Sequence, residues 1–167
     1  MKLLVIGHGR HGKDTVCDIL KENYGYNFIS SSEFCAQLFI YDQLKTKYNY
    51  KNYEECYVDR HNHRAEWYDL ISGYNKDNPA KLGTEIFKAY DIYCGLRNAK
   101  EFHAMKEQKV FDFALWVDRS KVLPQEQSNS MTLDISMADF VIDNNKDIIY
   151  LREQIDSVVQ FIADHRK

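Results

Sequence analysis

The sequence predicts a three-layer α/β fold, a five-stranded parallel sheet with helices on both faces. Short apolar runs alternate along the chain with amphipathic segments of helical period, and a crossover between parallel strands usually takes a helix. A glycine-rich turn, Gly7-His8-Gly9-Arg10-His11-Gly12-Lys13, stands between the first apolar run and the first amphipathic segment. At 167 residues the chain fits one domain, 1–167, with a core of its own.

Each element has a local reason. Residues 1–6 read M-K-L-L-V-I, a run suited to a buried central strand. Val16, Ile19, Leu20 and Tyr24 follow at helical spacing, and Gly25 supplies the stop. Residues 26–29 form a second strand. Ser30-Ser31-Ser32-Glu33 has the form of a capping box, and it opens a helix with Phe34, Leu38, Tyr41 and Leu44 on one face. Residues 53–58 and 60–71 are further helical pieces. Asn78-Pro79, a cap followed by proline at the first helical position, starts a helix through Leu82, Ile86 and Phe87. Residues 91–95 make the third strand. Asn98 with Glu101 repeats the capping-box pattern for a helix to about Gln108, and residues 110–117 make the fourth strand. Residues 119–136 hold Pro124 and the polar run 125–130, show no period, and are expected to be a mobile loop. Residues 140–142 make the fifth strand, and Ile148, Leu151, Ile155, Val158, Val159 and Ile162 face the core from a final helix. No internal repeat or linker interrupts the series.

Ligands of such sheets bind beyond the carboxyl ends of the strands. The glycine-rich turn, Ser30 to Ser32, Gly95 to Arg97, Asp118 with Arg119, and Asp143 to Asn145 therefore converge on one rim. The spacing Gly-x4-Gly-Lys is that of a phosphate-binding loop. Glycine lets several backbone N–H groups point into one concave turn, the helix N-terminus adds its dipole, and Lys13 adds a point charge for the outer phosphates.

Composition excludes other classes. A formal net charge of −3 argues against a binder of nucleic-acid polymers or membrane surfaces. Cys17, Cys35, Cys56 and Cys94 form no C-x-x-C pair, so buried free thiols in a reducing cytoplasm are expected. The turn follows the first strand directly, so no signal peptide is expected, and no apolar stretch approaches the roughly 18 residues of a membrane span. His61 and His63 stand two apart, which on a helix points them to different faces, so they are no metal pair. His8 and His11, with ordinary values near 6.5, are expected to be mostly neutral at pH 7.

G-H-G-R-H-G-K-D-T at 7–15, S-S-S-E-F at 30–34, D-R-H-N-H-R-A-E-W-Y at 59–68, I-Y-C-G-L-R-N at 92–98, L-W-V-D-R at 115–119 and A-D-F-V-I-D-N-N at 138–145 together resemble the P-loop nucleoside monophosphate kinase superfamily, most closely the deoxynucleoside monophosphate kinases of bacteriophages. The resemblance implies transfer of the γ-phosphoryl group of ATP to a (deoxy)nucleoside 5′-monophosphate with Mg²⁺, and a place in the cytoplasm, that of the host if a phage encodes the chain. It divides the chain into a core of 1–30, 90–118 and 138–167, a monophosphate-binding helical region of about 31–78, and a lid of about 119–137. A homodimer is compatible with it.

The resemblance implies roles for particular residues. Gly9, Arg10, His11, Gly12, Lys13, Asp14 and Thr15 would form the ATP-phosphate cradle, with Lys13 and Arg97 the catalytic cations. Arg97 would reach the acceptor phosphate, the alternative being a surface ion pair with Glu101. Arg60, Arg64 and Trp67, at offsets of four and three, can share one helix face. There Arg64 would meet phosphate and Trp67 or a nearby tyrosine the base; a solvated charged face over a buried tryptophan is the alternative. Ser31 and Ser32 would touch the acceptor, while Ser30 caps its helix. Arg119 would stack on adenine or close on the phosphates, or else pair with Asp118. Asn144 would approach the adenine edge, or sit in a plain turn.

The chain departs from the family at two points. Asp14 follows Lys13 where a hydroxyl usually ligates magnesium, and Cys94 takes the place of an aspartate that adenylate kinases carry after the third strand. Asp14, with Thr15, is the candidate metal holder, since hydrated Mg²⁺ needs few protein ligands; an acid favouring the helix dipole is the alternative. Two functional alternatives stay open, a kinase of the dephospho-coenzyme A type, which shares the A-D-x-V-I-D-N-like ending, and a regulator that binds ATP without turnover.

Overall fold

The computed structural model describes residues 1–126 and 131–165. Its centre is a parallel sheet of β1 (Leu3–Ile6), β2 (Phe28–Ser30), β3 (Ile92–Cys94), β4 (Phe113–Asp118) and β5 (Phe140–Asp143), in the order β2-β3-β1-β4-β5. Leu4 of β1 lies level with Tyr93 on one side and with Ala114 on the other. From β1 the chain crosses to β2 on one side, and from β3 it crosses to β4 on the other. The crevice beyond the carboxyl ends of β1 and β3 is thus the topological switch point, where open α/β sheets bind ligands.

Alternation along β1 divides the core. Leu3 and Val5 join Ile92, Leu115 and Val117 under Val16, Cys17, Ile19 and Leu20 of α1 (Lys13–Tyr24) and Leu151 and Ile155 of α8 (Ile148–His165). Leu4 and Ile6 face the other way, with Tyr93, Ala114 and Trp116. That second face is covered by α7 (Ala99–Glu107) and by the helical insertion between β2 and β3. Complete burial of such side chains contributes about 1.5–3 kcal/mol each.

The insertion comprises α2 (Ser31–Cys35), a π-helical turn (Ala36–Ile40), α3 (Tyr41–Tyr48), α4 (Tyr53–Asp59), a 3-10 turn (Arg60–Asn62), α5 (Arg64–Tyr74) and α6 (Lys81–Ala89). Ser30 caps α2 by accepting the Glu33 N–H at 3.2 Å, as the capping-box reading expects. Gly25 ends α1 in the left-handed region, φ +74°, with its N–H on the Leu20 and Lys21 carbonyls.

Several boundaries differ from the sequence reading, each because of a tertiary or side-chain bond. Residues 60–71 are not one helix: the path breaks at His63, at φ −128° and ψ 33°. Its ring lies 3.0 Å from Asp59 Oδ2 and 4.0 Å, centre to centre, from the Tyr48 ring. The helix after Asn78 starts at Lys81 rather than Pro79, because Asn78 Oδ1 takes the Ala80 N–H and Asn75 Oδ1 takes the Leu82 N–H, both at 3.0 Å. The fourth strand starts at Phe113, since Val110 still donates to Met105 while Lys109 turns at φ +53°.

Residues 119–136 are not simply a mobile loop. Val122 and Leu123 donate to the Arg119 carbonyl, Thr132 donates to that of Arg97, and Met131 and Leu133 are core residues. The part of the polar run at 127–130 lies outside the described residues. All four cysteines are free and buried. No helix of the described residues is long and apolar enough to cross a membrane.

Candidate active site

The glycine-rich turn begins where β1 leaves the sheet. Gly7 has φ +141°, and a Cβ there would lie 2.6 Å from the Val117 carbonyl oxygen, so the chain turns against β4 only without a side chain. Arg10 also takes the left-handed region, φ +62°, as does Gly12 at +94°. A side chain on Gly12 would collide with the Asn144 amide.

Asn144 and His11 hold the turn from beneath. Asn144 is buried, donates its backbone N–H to Asp118 at 2.8 Å and sends Nδ2 to the His11 carbonyl at 2.9 Å. His11 is fully buried: Nδ1 accepts the Arg119 N–H at 3.1 Å, and Nε2 lies 3.3 Å from the Pro124 carbonyl. These partners assign the proton to Nε2. Gly12→Ala is expected to destabilise the protein by about 1–3 kcal/mol, from backbone strain and the clash with Asn144, read as a lowered melting temperature. An unchanged melt would show that the turn has room the geometry denies it.

Lys13, the first residue of α1, donates Nζ to the His8 carbonyl at 2.7 Å, across the mouth of the turn. Burial lowers its proton affinity, and neighbouring Arg97 works the same way, while Cys94, Glu126 and Asp14 oppose them. His8 is also pushed down, first by burial and then by His11. It serves as an acceptor, with Nδ1 taking the Glu126 N–H at 3.1 Å.

Asp14 stands beside Lys13 and reaches the end of β3, where the Cys94 thiol donates to its Oδ1 at 3.6 Å. A carboxylate thus lies next to Cys94, the residue that the sequence resemblance sets in the place of an adenylate-kinase aspartate. Thr15 is exposed and lies away from the cavity.

Glu126 joins the turn to Arg97. One of its carboxylate oxygens accepts the Gly9 N–H at 2.6 Å, and the other pairs with the Arg97 guanidinium at 2.5 Å. Burial alone would raise this carboxyl, but the Arg97 contact overrides it and holds the group below the ordinary carboxylate range. Arg97 therefore pairs neither with Glu101 nor with solvent alone. The carboxylate marks a point at which the turn and Arg97 contact one anion together.

Beyond Arg97 opens a cavity of about 590 Å³ between the sheet rim and the helical insertion. Of the sequence candidates, Gly9, Arg10, Lys13, Asp14, Ser31, Ser32, Arg60 and Arg97 line it. Arg60 donates to the Tyr57 carbonyl at 2.7 Å and lies 3.9 Å over the Tyr57 ring. Arg64 and Trp67 do not join it: the break at His63 removes the shared helix face, leaves Arg64 exposed, and turns Trp67, 4 % exposed, into the core.

Arg119 also stays outside the cavity, its Nε buried without a hydrogen-bond partner among the described residues. It forms no ion pair with Asp118, whose carboxylate accepts from Ser120 and Asn145 instead. Sequence reasoning did not single out Glu126 or Asn75, reached Tyr57 and Tyr68 only through the general expectation of a nearby tyrosine, and took Glu101 only for a cap or an ion-pair partner. Asn75, in a polar stretch before a proline, carried no signal beyond a turn.

Among the described residues, no group of three or more His, Cys, Asp or Glu side chains is arranged to hold a metal ion. Asp14, a lone exposed carboxylate beside Lys13, suits a largely hydrated Mg²⁺ that comes with a nucleotide.

No family profile and no curated protein matches the chain. Solved structures match over nearly its whole length. Shikimate kinase from Bacteroides thetaiotaomicron superposes with a TM-score of 0.53 at 8 % identity, covering 98 % of each chain. Shikimate kinase from Acinetobacter baumannii, in complex with shikimate, gives 0.52 at 13 % identity, covering 99 % of this chain and 94 % of that one. Shikimate kinase from Aquifex aeolicus gives 0.53 at 13 %, covering 98 % and 96 %. The chain therefore has the P-loop kinase fold, and at such identity the likeness speaks for the fold alone.

Proposed function

We propose that the protein is a kinase that transfers the γ-phosphoryl group of ATP to a (deoxy)nucleoside 5′-monophosphate, giving ADP and the diphosphate. The observation that carries this reading is the single anion, the Glu126 carboxylate, bonded at once by the Gly9 N–H and by Arg97. A transferring phosphoryl group needs that same double contact, because its charge spreads over oxygens facing both donor and acceptor. The quoted motifs, with their likeness to phage deoxynucleoside monophosphate kinases, support the acceptor class.

In this reading the turn's amides and Lys13 hold the outer phosphates of ATP. Arg97 and Arg60 hold the acceptor phosphate in the cavity, where a guanidinium can grip two oxygens at once. Ser31 and Ser32 line the same cavity and can donate to the acceptor. The attacking atom is already an anionic phosphate oxygen, so no general base is required. Mg²⁺ accompanying ATP would neutralise charge between its phosphates, and Asp14 is the residue fitted to orient the ion's waters. Residues 119–137 form the lid in this scheme, with Glu126 leaving the cradle when nucleotide enters.

ADP release with a panel of monophosphates, run beside dephospho-coenzyme A and shikimate, tests the assignment. Turnover with a monophosphate supports it; turnover with either of the others alone transfers the function to that acceptor. ATP binding with no ADP formed from any of them would make the protein a nucleotide-binding regulator.

Glu126 adds a separate expectation. Because its carboxylate occupies contacts that phosphate requires, Glu126→Gln should tighten ATP binding by about two- to fivefold, the scale of a partly exposed ion pair. Titration of ATP into both proteins reads this, and weaker binding by the variant would make Glu126 a contributor to the site rather than a competitor.

A further inference from the structure

We infer that Glu126 couples the two halves of the site, so that ATP and the acceptor each bind more tightly once the other is in place, an inference that rests on the monophosphate-kinase reading above. One carboxylate spans both halves. Its Oε2 accepts the Gly9 N–H at 2.6 Å on the side assigned to ATP, and its Oε1 pairs with Arg97 at 2.5 Å on the side assigned to the acceptor. Lys13 adds its attraction. The side chain is 26 % exposed, so these contacts are only partly screened by water.

The two oxygens belong to one rigid planar group and cannot part. If a phosphate oxygen took the Gly9 N–H while the other carboxylate oxygen stayed on Arg97, two negative groups would be pressed together in a partly desolvated place. The same holds for a phosphate arriving at Arg97. Either ligand therefore expels the whole carboxylate. The first to arrive gives up part of its binding free energy to that expulsion and the second gives up none, the arithmetic of a competent state that is only partly populated in the free protein. Linkage makes the gain equal for both ligands.

The backbone keeps the displaced group at hand. Glu126 donates its N–H to His8 Nδ1 at 3.1 Å, and the Pro124 carbonyl lies 3.3 Å from His11 Nε2. Both histidines of the glycine-rich turn thus hold the stretch that carries the carboxylate. Neither ring lines the cavity, and both are buried, so tethering is the work their geometry gives them. A competitor tethered in this way acts at high effective concentration and returns when the phosphates leave.

The test is a binding cycle. Titration calorimetry with Mg²⁺ measures a non-transferable ATP analogue, methylene-bridged between its outer phosphates, alone and with dAMP, dGMP, dCMP or dTMP saturating, in the parent and in Glu126→Gln. Glutamine has one side-chain acceptor, so it can hold the Gly9 N–H or face Arg97 but cannot bridge them. For a monophosphate that binds, the tightening of the analogue should be about two- to fivefold greater in the parent than in the variant, the scale of a partly exposed ion pair. The variant should bind the analogue alone and the monophosphate alone more tightly by that same factor. Comparing the two proteins removes the repulsion between the bound anions, which both share. Glu126→Asp, which keeps the charge but is one methylene shorter, should lose the coupling as well, and it decides the matter if thermal melts show that Glu126→Gln does not fold. Equal coupling in parent and variants overturns the inference, and with ADP released from a monophosphate it leaves the kinase reading standing. A Glu126→Gln variant that tightens the analogue but not the monophosphate also overturns it, since the carboxylate then blocks one half only. Coupling lost in the variants, with no monophosphate turned over, upholds the link between the halves and overturns the transfer reaction. Failure of every monophosphate to bind overturns both.

Discussion

Lys13→Met is expected to lower kcat by about a hundred- to a thousandfold, the scale on which fixed charges act on developing negative charge in a shielded site. Methionine keeps the length and the packing of the lysine stem while removing the ammonium. The loss belongs to kcat because the charge on the transferring group peaks in the transition state, whereas the turn's amides still hold ground-state phosphates. ATP affinity should therefore fall far less than turnover. The side chain spans from the first turn of α1 to the His8 carbonyl, so it stands at the mouth of the cradle before nucleotide enters. Initial rates of ADP release beside ATP titration check the split, and a variant within threefold of the parent rate would remove Lys13 from the reaction.

Arg97→Ala should cost a similar factor, about a hundredfold in kcat/KM for the monophosphate, because it removes a charge-assisted and potentially bidentate contact to phosphate. Its signature is different. The change should fall on the acceptor, with KM for ATP constant or lower, since Glu126 loses its partner and its hold on the Gly9 N–H weakens. Arg97→Lys restores charge without the planar fork and should recover only part of the activity. An equal rise in both Michaelis constants would place Arg97 in general folding of the rim instead.

The strands, the first helix with its glycine stop, and the glycine-rich turn were legible because their causes are local. Leu3 to Ile6 are apolar without interruption, Gly12 and Gly25 both take positive φ, and Ser30 caps the residue three places on. The proposed acceptor side was only half legible. Arg60 reached the cavity, but Arg64 and Trp67 did not, because the helix expected to align them is broken at His63 by contacts with Asp59 and Tyr48. Helical spacing carries no trace of such contacts. Glu126 meets Gly9 from 117 positions away, and a lone acid in an aperiodic stretch gives no local sign of that meeting. Glu101 and Asn98 matched a familiar helix-start pattern, which concealed that only the asparagine performs it.

The brace beneath the phosphate turn bears on how the chain is made. His11 and Gly12 leave the ribosome early, yet the turn takes its described shape against Arg119 and Asn144, the latter 133 residues downstream. During synthesis β1 and α1 precede β3 and β4, which pair with β1, and both Arg119 and Asn144, which hold the turn between them. On the kinase reading, a truncated chain that stops short of Asn144 should carry the whole motif without this brace and bind ATP more weakly than the full chain.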